Sequence, residues 1–192
     1  MRFLLPLILS SVAAIAAGAP ESVRPENVLS VVTADWNGDG GMDRALLVQN
    51  GDDADLHIYM SESSGSGPKL AAYAKAFAWA GSMWGTLPEL KLLPNTSSLQ
   101  VVSQNDAVGR DRWTQTLTLA YRNGAFVVAG YTFSARDTLE PDAWSACDVN
   151  LLTGKGIVKS EKAPDGKAFA STTRAMPVVQ WTQDTKPQGC PE

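Results

Sequence analysis

Residues 113–133 read WTQTLTLAYRNGAFVVAGYTF. Trp113, Leu117, Leu119 and Tyr121 fall on one face of a period-two pattern, with Thr114, Thr116 and Thr118 on the other. That alternation belongs to a strand with one buried side. Asn123-Gly124 then supplies two residues that tolerate positive φ, as a type I′ turn requires. Phe126–Phe133 returns as the partner strand. The stretch predicts a hairpin, and the rest of the chain reads in the same way, as short apolar runs separated by turn residues.

Upstream, Val28–Ala34 and Arg44–Gln49 flank a Gly/Asp-rich loop, and Leu56–Met60 follows the turn Gly51-Asp52-Asp53. Ser61–Pro68 reads as an exposed polar loop, and Lys69–Ala80 is so rich in alanine that helix and strand both stay open. Pro88 and Pro94 bracket a short element, and Ser98–Ser103 reads as a strand. Downstream, Thr153-Gly154-Lys155-Gly156 joins Cys147–Leu152 to Ile157–Ser160 as a second hairpin, and Pro177–Thr182 is the last candidate strand. The expectation is one all-β domain over residues 20–192, a compact antiparallel structure of sandwich-like or small propeller-like form.

Residues 1–19 have the three parts of a secretory signal peptide: the charge of Arg2, a short apolar core and the small residues Ala16-Ala17-Gly18-Ala19. Cleavage after Ala16 or Ala19 fits. No cysteine lies near that boundary, which excludes a lipoprotein, and no later apolar run is long enough to span a bilayer. The chain is therefore expected in the periplasm or secreted, with no stable membrane insertion after cleavage. With 16 Lys and Arg against 20 Asp and Glu, and the basic residues scattered, nucleic acid is not an expected partner. In an oxidising compartment the two cysteines, Cys147 and Cys190, are expected to form a disulfide that ties the tail to the body.

One stretch carries specific chemistry. Asp35-Trp36-Asn37-Gly38-Asp39-Gly40-Gly41-Met42-Asp43 places oxygen-bearing side chains at loop positions 1, 3, 5 and 9, with glycine at position 6. Ca²⁺ takes six to eight hard oxygens, and this spacing wraps them around one centre. The expected ligands are the side chains of Asp35, Asn37, Asp39 and Asp43 and the carbonyl of Gly41. Position 12 is Leu46 rather than glutamate and the flanks read as strands, so the site is strand–loop–strand and not an EF-hand. An acidic turn that binds nothing is the plainer alternative.

These residues resemble the calcium loop of FG-GAP and VCBS-type repeats, D-x-N-x-D-G-x-x-D between two strands. The resemblance covers Ala34–Leu47 and implies the loop and its ion, not the propeller in which those repeats recur. A second resemblance lies in Leu117–Tyr131 followed by Asp148-Val149-Asn150-Leu151-Leu152-Thr153-Gly154-Lys155. This order is similar to small exported bacterial proteins related to the periplasmic inhibitors of invertebrate-type lysozyme and to immunity proteins against lysozyme-like toxins. It implies an all-β fold, a lysozyme-like glycosidase or another envelope protein as partner, and an inhibitory loop for which Ser64-Gly65-Ser66 is the candidate. An ordinary surface loop has the same composition.

No catalytic constellation stands out. His57, the only histidine, has Asp55 two residues away but no G-x-S-x-G elbow to serve, and is expected to face solvent. Arg110, Arg112 and Trp113 form a second candidate interface, since Arg and Trp are enriched at hot spots. The reading is a non-enzymatic exported binding protein with a structural Ca²⁺. The alternatives are a hydrolase acting on cell-wall glycan and a calcium-stabilised envelope protein.

Overall fold

The computed structural model describes residues 22–191 apart from Ser66, Ser82, Trp84 and Asn95. The export segment read at residues 1–19 lies outside the described residues, as does Ser66 of the candidate inhibitory loop. The described chain forms β1 (Val28–Ala34), β2 (Asp43–Asn50), β3 (Asp53–Met60), β4 (Lys69–Trp79), β5 (Glu89–Leu92) and β6 (Leu99–Asn105). It continues with β7 (Asp111–Arg122), β8 (Ala125–Asp137), β9 (Trp144–Asn150), β10 (Lys155–Ser160), β11 (Ala163–Ala170) and β12 (Met176–Pro177). One sheet has the order β1-β2-β3-β4. The other runs β11-β10-β9-β8-β7-β6-β5, with β12 attached to β8. Every strand pair is antiparallel. Apart from the short β12, each strand pairs with its neighbour in the chain, and the chain changes sheet once, between β4 and β5.

The two sheets share one core, which makes the molecule a β-sandwich rather than a propeller. Leu47, Leu56, Ile58 and Phe77 come from the smaller sheet, and Leu99, Leu117, Leu119, Val128, Tyr131 and Val149 from the larger. The hairpin read from residues 113–133 is β7–β8, and its turn residues Asn123 and Gly124 have φ of 51° and 81°. A bulge between Thr118 and Leu119 shifts its register, which twists the long hairpin around the core.

Three elements differ from the sequence reading or resolve it. Of the stretch Lys69–Ala80, Lys69–Trp79 is strand: Ala72, Ala74 and Ala78 are buried against β3, where small side chains let the sheets approach. Pro177–Thr182 is not a strand beyond Pro177. Val178–Gln180 turns as a 3-10 helix, which swings Val178 and Trp181 into the core at 1% and 2% exposure. β11 carries little alternation to read, since its sequence APDGKAFA contains a proline and a glycine and has no buried residue. The Cys147–Cys190 disulfide is present, with Cα atoms 5.5 Å apart.

The hairpin connections sort to two ends. At one end lie the Asp35–Met42 loop, the Ser61–Pro68 loop and the Asn123-Gly124 turn, joined by the edge-on contact of Trp36 with Phe126 at 5.4 Å. At the other end lie the β2–β3 turn, the β4–β5 connection and the β6–β7 and β8–β9 loops, joined by Trp79 against Trp113 at 5.5 Å.

Candidate functional site

The candidate residues divide between these two ends. At the first, the Asp35–Asp43 loop is organised by its own carboxylates. Asp35 Oδ1 accepts the backbone N–H of Gly38 at 2.7 Å and of Asp39 at 3.2 Å, and Oδ2 that of Gly40 at 2.9 Å. Asp39 Oδ1 accepts from Gly41 N at 2.6 Å. Gly38 and Gly40 have φ of 76° and 87°, which glycine alone adopts at little cost.

Asp43 is fully buried, and its two oxygens hold the backbone N–H of Trp36 at 3.0 Å and of Ser61 at 2.8 Å. It therefore staples this loop to the Ser61–Pro68 loop. A Cβ at Gly41 would lie 2.5 Å from the Ser61 carbonyl oxygen, so the close approach requires glycine there. The structure brings Ser61 and Ser63 beside the predicted metal loop, a neighbourhood that sequence spacing did not reveal.

The donor set is hard oxygen throughout, which suits Ca²⁺. Among the described residues, Asp35, Asp39 and Asp43 make no ion pair with Lys, Arg or His. The same carboxylates cap backbone groups here, and no three His, Cys, Asp or Glu side chains among the described residues are gathered as metal ligands.

At the opposite end the second candidate group is split by strand geometry. Successive side chains of a strand point to opposite faces. Trp113 therefore faces inward beside Phe133, and Arg112 lies on the outer face, beside Arg136 and Trp144. Arg112 Nη1 donates to the Gly109 carbonyl at 2.5 Å, and Asp106 pairs with Arg136 at 2.9 Å. Arg110 binds Asp137, its Nε 2.7 Å from Oδ2, and Glu140 at 3.1 Å. Those bonds hold the Asp137 carboxyl below its ordinary value and raise the Arg110 guanidinium further.

No family model, curated protein or solved structure matches the chain. Its site therefore has to be read from its own geometry. β7 and β8 have 12 and 13 residues against 8 in β2 and β3. At about 3.3 Å per residue the long hairpin reaches roughly 40 Å, well beyond its smaller neighbours. Its inner face is apolar where the small sheet covers it, and continues past that cover as an open cleft of about 440 Å³ lined by Trp79, Ser103, Trp113, Gln115, Phe133 and Asp184.

Four exposed apolar side chains surround this end. Val108 and Leu139 stand on the β6–β7 and β8–β9 loops, and Met83 and Leu87 on the β4–β5 connection. That connection touches the β6–β7 loop, since a Cβ on Gly85 would lie 3.9 Å from Ala107. Sequence reasoning found Trp113 alone, because the other cleft residues, apart from Gln115 on the same strand, come from β4, β6, β8 and the C-terminal tail.

His57 does not face solvent. It is 1% exposed on the outer face of the small sheet, with its ring tilted against Tyr73 at 4.9 Å. Burial lowers its pKa, opposed in part by Asp55. Asp55 in turn accepts from Tyr73 Oη at 2.8 Å and from the backbone N–H of Ala76 at 2.8 Å. Burial first, and then Asp55, push the Tyr73 phenol up to about 12. The Ala76 bond stabilises an irregularity in β4, where Ala76 has φ of 48°, uncommon for a residue with a Cβ. The signal missed in the sequence is the segment 22–27, which lies against this face.

Proposed function

We propose that this chain is an exported, non-enzymatic binding protein that grips another envelope protein with the end of the sandwich carrying the Trp79–Trp113 cleft. A lysozyme-like glycosidase is the partner class, by the C-terminal resemblance. The observation that carries the reading is the exposure of Met83, Leu87, Val108 and Leu139 on the loops at the end of the sandwich that holds the open aromatic cleft. Exposed apolar groups that cluster, with tryptophan at the centre and arginine at the rim, are the composition of a protein-binding hot spot. The cleft lining has one carboxylate, Asp184, among its described residues, whereas glycoside hydrolysis commonly takes a pair, which favours binding over hydrolysis. Ca²⁺ at Asp35, Asn37, Asp39, Asp43 and the Gly41 carbonyl would neutralise the loop's charge and firm the other end of the molecule.

The test is calorimetric titration and inhibition assay of the purified protein against lysozymes of the invertebrate, chicken and goose types. Tight binding to one class, weakened at least tenfold by Val108→Asp with Leu139→Asp, supports the reading. No binding to any class removes the proposed partner. Binding indifferent to the double variant moves the interface elsewhere.

A further inference from the structure

The outer face of the small sheet holds a second cavity, distinct from the cleft and independent of the reading above. Its volume is about 400 Å³, and its lining includes Arg24, Asn50, Asp55, His57, Tyr73 and Lys75. Asp55, His57 and Tyr73 are 5%, 1% and 9% exposed, so the polar groups here are built into the sheet.

Asp55 is satisfied by Asn50 Nδ2 at 3.2 Å, by the Tyr73 hydroxyl and by the Ala76 N–H. His57 is not: neither Nδ1 nor Nε2 has a hydrogen-bond partner, although both are buried. A neutral imidazole carries one N–H donor and one lone pair, and leaving both unmade in the interior is costly. Lys75 and Arg24 bring two exposed positive charges to the lining, with no ion pair among the described residues.

We propose that this pocket binds a small molecule bearing a free carboxylate, of amino-acid to dipeptide size. The ligand's carboxylate takes the His57 N–H and lies toward the ammonium of Lys75 and the guanidinium of Arg24. A single negative charge suits the site, because the adjacent Asp55 carboxylate repels a dianion. The volume lies within the range of small-ligand pockets and exceeds what acetate alone fills.

His57 is the only histidine, so its ring nitrogens give unambiguous ¹⁵N resonances. The full protein is titrated at neutral pH with acetate, N-acetylalanine and N-acetyl-alanyl-alanine, and with the amide of the last and inorganic phosphate as controls. The expected result is a saturable shift of the His57 signals with the carboxylates, tightest for the larger two and at least tenfold weaker for the amide and for phosphate. In Lys75→Met with Arg24→Met, both surface changes that leave melting intact, carboxylate affinity falls at least tenfold. The proposal is overturned by a linear or absent response to every carboxylate. It is equally overturned if the amide or phosphate binds as tightly, or if the double variant binds as the wild type does.

Discussion

At Asp43 a single carboxylate holds two separate loops by their backbone N–H groups, and no water reaches it. Asp39 sits at the opposite extreme, exposed and bonded only within its own loop. The two make separable predictions. If the loop takes Ca²⁺, the ion raises stability by RT ln(1 + [Ca²⁺]/Kd), about 2.7 kcal/mol at a hundredfold excess over Kd. Asp39→Ala is expected to abolish that increment while the apo protein melts close to wild type. A calcium response unchanged in Asp39→Ala would place the ion elsewhere.

His57 gives a pH prediction. Its pKa in the fold lies below the unfolded value of 6.5, so the unfolded chain takes up its proton first. The contribution to stability is therefore complete above pH 6.5 and is lost as pH falls through the lowered folded value. The groups around the ring are Tyr59 and Asp55 on its own strand, Tyr73 and Lys75 on β4, and Arg24 from the N-terminal segment. Melting temperature should drop more steeply below pH 6.5 in the wild type than in His57→Gln. Equal slopes would mean that other groups set the acid limit.

Among the elements, the hairpins were the most legible. β7–β8 is announced by its alternation and by Asn123-Gly124, whose positive φ values only a few residue types tolerate. Gly124→Val is expected to cost about 1–3 kcal/mol, since a β-branched residue strains the left-handed position. Chemical denaturation reads this directly, and a cost near zero would mean that the turn relaxes to another type. Strand β4 was ambiguous because alanine has low preference for strands, and only its packing against Leu56 and Ile58 selects that state. β11 escaped notice because an edge strand with no buried residue needs no apolar period. The disulfide was legible from the cysteine count and the expected oxidising compartment. Breaking its 43-residue connection by reduction, or by Cys147→Ala with Cys190→Ala, should remove about 3–4 kcal/mol in the loop-entropy picture. A loss well under 1 kcal/mol would mean that Trp181 and Val178 anchor the tail without help.

For the whole molecule, the sequence pointed to one antiparallel β domain but left sandwich and propeller open, and it did not say which ends of the strands gather. The candidate calcium loop was visible as nine consecutive residues. The cleft was not, because Trp79, Trp113 and Phe133 meet only after β4 is laid over the β6–β8 face. The neighbourhood of Asp43 and Ser61 was hidden for the same reason, since 18 residues of chain separate them.

The single change of sheet has a consequence for how the molecule can be taken apart. Residues 28–79 complete one sheet and residues 89–177 the other, so a cut in the chain between Gly85 and Pro88 interrupts no strand ladder. The disulfide lies wholly on the second side of such a cut. The halves are joined instead by buried side chains and by a few bonds, such as Leu90 N to Ser30 Oγ at 2.9 Å and Gln183 Nε2 to Asp53 Oδ1 at 2.8 Å. Two fragments made separately should therefore find each other and rebuild the sandwich, the behaviour of a split reporter. A ribosome making the chain releases the first layer with a bare apolar face that waits for its lid.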